Sequence, residues 1–235
     1  MKGKLYGVGV GPGDPELLTI KAKRILEKAA YIAIPKASMG KQSQALTIVE
    51  GVLEKKNEIL ELLFPMSFDE NVLKEGWKVA LIQVKEKLDL GMDVAFITLG
   101  DPTVYSTYMY LHKVLKEEGY ETEIIPGITS FCASAARAGV SLGENRETIA
   151  VVPSAYECEN LGEILNSFDN VVLMKVSKNL SKLKAVLKEK NLLDKTVLVS
   201  KCGLPDELIQ FDLEGQDDEN LSYFTTMIIK KSGVK

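Results

Sequence analysis

Residues 93–99 read DVAFITL, a near-continuous apolar run cut off by Gly100, Asp101 and Pro102. Apolar residues on both alternating sets of positions suit a strand covered on both faces, and such strands belong to parallel sheets with helices on each side. The surrounding sequence agrees. Residues 4–10 read as a strand, followed by glycines and a helix over about 19–29, with Thr19 as N-cap and Ile25, Leu26 and Ala29 as its apolar stripe. Residues 30–34 form a second strand that Pro35 is expected to end; a helix near 42–53 and a short strand at 58–63 follow. Residues 69–90 carry Val72, Leu73, Trp77, Ala80, Leu81, Val84 and Leu88 at helical spacing, with Trp77 expected in the core and Gly91 as the stop. A helix over 106–118 ends at Gly119. The first half thus reads as a parallel α/β sheet.

A second set begins with a strand at 121–125, the turn Pro126-Gly127 and a small-residue helix to Gly139. Strands at 148–152, 170–176 and 196–201 alternate with helices at 161–168 and 180–190. Residues 207–213 and 223–230 look like strands joined by an acidic turn, which predicts an antiparallel hairpin. The fold class is therefore α/β, with two α/β domains at 1–118 and 119–235. The tail at 230–235 is expected to be frayed.

Composition limits the function classes. The chain has 235 residues, 46% hydrophobic and 26% charged, which is ordinary for a soluble globular protein. No segment approaches the ~18 apolar residues of a membrane span. The apolar run near the start is broken by glycines too early for a signal peptide, so a cytoplasmic protein is expected. Cys132, Cys158 and Cys202 are odd in number and widely spaced, unlike a disulfide framework or a zinc site. With His112 as the sole histidine, no metal site is expected. A net charge of −4 argues against a nucleic-acid partner, although a local basic pocket could still receive an anionic substrate.

Three strand-to-helix turns stand out. The first, GVGVGPGDPELLT at 7–19, permits positive φ and close ligand approach. It fails the dinucleotide spacing G-x-G-x-x-G: counted from Gly7 the third glycine is Pro12, and counted from Gly9 it is Asp14. No lysine follows as in a P-loop. The second, LGDPTVY at 99–105, follows the buried strand, where α/β folds place ligands. Its Asp101 could hold a polar ligand group or close an Asx-turn. The third, PGITSF at 126–131, offers Thr129 and Ser130 hydroxyls at a helix start, for a ligand or for a plain cap.

Taken together and in order, the three turns resemble the signatures of the tetrapyrrole methylase family. The resemblance extends to VVLMKV at 171–176 and SKCGLPDE at 200–207, so it spans nearly the whole chain. Within the family, YGVGVGPGDPELLTIKA, IPKAS, QALTIVE and FITLGDPTVYSTYMYL are most similar to the precorrin-2 C(20)-methyltransferases of cobalamin biosynthesis and their cobalt-factor II counterparts. Siroheme-type members usually carry a longer glycine-rich stretch where this chain has Ser106-Thr107-Tyr108.

The resemblance implies two α/β domains with a cleft between them, S-adenosylmethionine as cofactor, a tetrapyrrole substrate (precorrin-2 or cobalt-factor II) and a homodimer. It implies that Leu99, Gly100 and Asp101 contact the amino-acid end or ribose of the cofactor, beside Val104 and Tyr105. Thr129 and Ser130 would hold further polar atoms. Met174 would pack on the adenine, with Pro12 closing the other side and Cys202, Gly203 and Thr226 as weaker adenine candidates. The opening loop, with Gly11 and Asp14, would face the tetrapyrrole. Lys36, Lys41, Arg137, Arg146 and Lys201 could meet the substrate's carboxylates, Lys36 and Arg137 foremost. The reaction implied is attack of the meso carbon on an activated methyl group, with Asp14 or Tyr105 accepting the proton released. Three competing readings stay open here: another methylase of this fold, acting on a different precorrin, on uroporphyrinogen III, or on a protein or RNA target, RNA being opposed by the acidic balance; a nucleotide-binding oxidoreductase, which the failed glycine frames oppose; and a non-catalytic binding protein.

Overall fold

The computed structural model describes residues 1–37, 43–54, 57–65, 70–153, 158–178, 180–215 and 221–234. It divides into two units, Met1–Thr129 and Ser130–Lys235, each with its own five-stranded sheet. No helix among the described residues is long and apolar enough to cross a membrane.

The first unit runs β1 (Leu5–Gly9), α1 (Ile20–Lys28), β2 (Tyr31–Lys36), α2 (Gln44–Glu50), β3 (Glu58–Leu63), α3 (Glu70–Asp89), β4 (Val94–Thr98), α4 (Tyr108–Glu117) and β5 (Thr122–Ile125). Every pairing is parallel, in the order β3-β2-β4-β1-β5. The run DVAFITL behaves as its pattern requires. Val94 and Phe96 of β4 pack with Ala80, Val84 and Leu115 of α3 and α4, while Ala95 and Ile97 pack with Leu26 and Ile48 of α1 and α2. Fully burying such a side chain contributes about 1.5–3 kcal/mol. Thr19 caps α1, its Oγ1 accepting from Ala22 N at 3.1 Å. Trp77 is half-buried and stacks on Tyr110, with ring centroids 4.2 Å apart, so it flanks the core instead of filling it.

Two boundaries differ from the sequence reading. Pro35 lies inside β2, which continues to Lys36 beside β3. Pairing with β4 stops at Ala33, and in a parallel strand alternate residues face alternate neighbours. Lys36 O accepts from Phe64 N on the β3 side; Pro35 therefore faces the side where no partner remains, and its missing N–H costs no ladder bond. The division between units falls after Thr129, not after residue 118, because β5 is hydrogen-bonded to β1 and completes the first sheet.

The second unit runs α5 (Ser130–Ala138), β6 (Ile149–Val152), α6 (Leu161–Ser167), β7 (Asn170–Met174), α7 (Leu180–Glu189), β8 (Thr196–Ser200), β9 (Leu208–Gln210) and β10 (Thr225–Lys230). The sheet order is β6-β7-β10-β8-β9, with only β6 and β7 parallel. Leu165, Leu183 and Leu187 of α6 and α7 cover one face with Leu173 and Met227. The expected hairpin does not form. β9 and β10 both pair with β8, from opposite sides. All six residues of β10 are buried, which suits a central strand, whereas β9 is partly exposed and takes the edge.

The tail is also tied down. Lys230 is only 4% exposed; its Nζ donates to Ser141 Oγ at 2.8 Å and lies 3.5 Å from Glu144 and 3.6 Å from Glu147. Lys231 N donates to Asp169 O, and Val234 is buried. Glu144 is held below its ordinary value of 4.5 first by the Ser141 hydroxyl and then by Lys230; Glu147 is lowered first by the Asn170 amide. Carboxylates lowered in this way stabilise the fold above pH 4.5, and that contribution disappears as pH falls through their folded values. Lys230→Met is expected to lower stability in urea unfolding at pH 7, since both carboxylates lose the cation that helps hold them ionised. The difference from wild type should shrink below pH 4.5 as both carboxylates take up protons.

Candidate functional site

The carboxyl ends of β4, β1 and β5 lie side by side, and each is followed by one of the three unusual turns. The helices after β1 cover one face of the sheet and those after β4 the other. Open parallel sheets bind ligands in the crevice beyond such a pair of strands, where the connections part.

The three turns touch through their backbones. Gly11 and Gly100 form an antiparallel bridge, with N···O distances of 3.4 and 2.8 Å. A Cβ on Gly9 would lie 2.5 Å from Gly100 O and 2.7 Å from Gly127 N; one on Gly127 would lie 2.2 Å from Gly100 O. Gly9 and Gly127 do not have positive φ. They are glycines because a side chain would not fit, a requirement that spacing alone did not reveal.

Asp101, 8% exposed, binds this contact together. Its Oδ1 accepts from Thr103 N at 2.8 Å and Thr103 Oγ1 at 2.5 Å, closing the Asx-turn, and its Oδ2 accepts from Gly127 N at 2.9 Å. Val104 N donates to Asp101 O, continuing the turn to Tyr105, which is 54% exposed with φ +51°. A non-glycine residue in that region carries strain of about 1–3 kcal/mol, a cost found mostly at functional sites. Ser106 Oγ accepts from Tyr108 N and donates to Thr98 Oγ1 at 3.1 Å. Leu99 is half-buried beside them.

Thr129 stands at the foot of the third turn, just before Ser130 opens α5. Its Oγ1 is buried and makes no hydrogen bond, so it does not cap the helix. A buried hydroxyl without a partner costs about 1–3 kcal/mol, and a polar ligand atom would satisfy it. In the first turn Gly11 is buried, Pro12 half-buried, and Asp14 Oδ1 accepts from Glu16 N at 2.9 Å to start a 3-10 turn at Pro15–Leu17. None of the three turns contains a lysine, histidine or cysteine. They can bind and orient, but they offer no activated nucleophile.

In the second unit, Met174 and Thr226 are direct cross-strand partners, and Thr226 also faces Val199 of β8. Gly203 lies in the turn just beyond β8, after Cys202, whose thiol is pushed upward by burial. Three of the proposed adenine contacts are thus gathered at one end of one sheet. The basic candidates are less uniform. Lys36 Nζ lies 2.6 Å from Glu61 with its side chain 12% exposed, Arg137 is paired with Glu207, and Lys201 with Asp206. Arg146 is exposed, and Lys41 lies outside the described residues.

The backbone contact gives a direct test. Gly127→Ala is expected to destabilise the protein by at least the ~1–3 kcal/mol typical of overpacking, because the added methyl meets backbone and not a movable side chain. Urea unfolding measures this; a loss under 0.5 kcal/mol, the ordinary range for a surface change, would contradict the contact.

Comparison with known proteins finds relatives over nearly the whole chain. The family model described as Tetrapyrrole (Corrin/Porphyrin) Methylases matches residues 4–215. The chain is 40% identical over 231 residues to a probable cobalt-precorrin-2 C(20)-methyltransferase of Methanocaldococcus jannaschii, covering 97% of this chain and 96% of that protein. It is 36% identical to the cobalt-precorrin-2 C(20)-methyltransferase of Salmonella typhimurium, covering 98% of each. The fold is shared with a uroporphyrin-III C-methyl transferase from Thermus thermophilus, solved in complex with S-adenyl homocysteine. That likeness has a TM-score of 0.70 at 20% identity and covers 97% of this chain and 98% of that one.

Proposed function

The chain belongs to the tetrapyrrole methylase family, and from this we infer that it methylates the C(20) meso carbon of a precorrin-2-type macrocycle in cobalamin biosynthesis. The observation that carries the reading is the near-full-length identity to two cobalt-precorrin-2 C(20)-methyltransferases. It favours a cobalt-bearing substrate over the metal-free one.

We propose S-adenosylmethionine as the methyl donor; when bound it supplies a methyl group already activated by its sulfonium. The residues present fit such a group. The unpartnered Thr129 hydroxyl, the remaining lone pair of Asp101 Oδ2 and the backbone around Leu99 and Gly100 suit its amino-acid end or ribose, with Val104, Tyr105 and Ser130 beside them. Pro12, Met174, Gly203 and Thr226 are assigned to the adenine. Gly11, Asp14 and Lys36 are assigned to the macrocycle. Orientation of the two reactants is the protein's main contribution, on the order of 7–11 kcal/mol in favourable cases. These residues would hold the bound donor so that its methyl group could pass to C(20), with S-adenosylhomocysteine as the by-product. The proton then released from C(20) passes to Asp14 or Tyr105. Asp14 uses one carboxylate oxygen to start its 3-10 turn, and the other has no partner among the described residues.

Family membership also leads us to propose a cytoplasmic homodimer. Purified protein given S-adenosylmethionine and cobalt-factor II or precorrin-2 is expected to yield a product one methyl group heavier by mass spectrometry. Failure with both, while another precorrin is methylated, would overturn the C(20) assignment. Asp14→Ala is expected to lower kcat by about 10²-fold or more if Asp14 is the proton acceptor; unchanged turnover would remove that role.

A further inference from the structure

We propose that Glu207 and Arg137 form a positioning pair that sets the turn at residues 201–204 for the cofactor, and that Arg137 is therefore not a ligand for substrate carboxylates. The proposal rests on the reading above that Gly203 borders the adenine.

The geometry is specific. Arg137 Nε lies 2.9 and 3.1 Å from the two Glu207 oxygens and Nη2 lies 2.6 Å from Oε1. This forked arrangement is the strongest that an arginine makes with a carboxylate. Glu207 Oε2 also accepts from Gly203 N at 2.7 Å. The side chain of Glu207 is 11% exposed and that of Arg137 60% exposed, so the carboxylate lies inside and the guanidinium lies over it. Burial pushes the Glu207 carboxyl upward, but Arg137 and then the Gly203 amide outweigh it and hold it below the ordinary value. The carboxylate therefore stays ionised at neutral pH.

The turn needs such a tie. Lys201 and Gly203 both adopt left-handed backbone, at φ +52° and +76°. The turn's own bonds, Leu204 N to Lys201 O and Glu207 N to Leu204 O, leave the Gly203 amide to Glu207. Arg137 sits in the last turn of α5, which packs on β8 and β10 through small residues such as Ala133 and Ala135. The pair thus fixes the turn after β8 to the helix that rests on Thr226's strand. An ion pair with one exposed partner contributes only about 0–1 kcal/mol by itself; the bond from the Gly203 amide to the same carboxylate points to placement of the turn.

The test measures S-adenosylhomocysteine affinity by calorimetry and both KM values in the methylation assay. Arg137→Met is expected to raise the S-adenosylhomocysteine Kd and the S-adenosylmethionine KM by about tenfold, equivalent to about 1.4 kcal/mol, with the macrocycle KM within about twofold of wild type. Arg137→Lys should fall between, since lysine cannot form the fork. Glu207→Gln, which keeps an oxygen for the Gly203 amide, should be milder than Glu207→Ala. Thermal melting of each variant shows that the fold is kept. A raised macrocycle KM with unchanged cofactor affinity would overturn the proposal, as would no change in either. A wild-type protein that binds no S-adenosylhomocysteine would instead remove the functional reading on which the pair depends.

Discussion

Three strands of the first unit can deliver their turns to one place only because three backbones meet there without side chains. A Cβ on Gly9 or Gly127 would lie within 2.2–2.5 Å of Gly100 O, and the Asp101 carboxylate then joins the second turn to the third. The contact fixes how far the turns after β1, β4 and β5 can spread. The exposed Tyr105 and the unpartnered Thr129 hydroxyl lie in the two turns that this contact joins.

A site made this way is poor in reactive side chains and rich in fixed polar ones. That suits a reaction whose electrophile arrives already activated, where the protein contributes placement more than bond-making. The carboxylate of Asp101 is largely occupied in holding its own turn. What it does is immobilise the backbone of two turns. The same division of labour recurs in the second unit, where Glu207 serves a turn and Arg137 serves Glu207.

The parallel sheet was legible because DVAFITL carries apolar residues for both faces, and Val94 and Phe96 do face away from Ala95 and Ile97. Thr19 announced its helix with a capping hydroxyl. Other features depend on partners far along the chain, which a local pattern does not record. Pro35 ends a strand only if its nitrogen faces a neighbour, and here it faces none. The sequence pattern set β10 antiparallel to β9, yet both run antiparallel to β8 and so in the same direction, because burial on both sides draws β10 to the centre of the sheet. In the candidate site, residue types and order drew attention to three turns that the fold brings side by side. The tight packing of Gly9 against Gly127, and the commitment of Arg137 to Glu207, arise between segments and leave no local spacing to read.

The central place of β10 has a consequence for how the second unit is made. Until that strand emerges from the ribosome, β6–β7 and β8–β9 are two separate ribbons with no hydrogen bond between them. The inner edges of β7 and β8 remain open, and open apolar edges invite pairing with other chains. A nascent second unit lacking Thr225–Lys230 therefore leaves both of those edges without their shared partner.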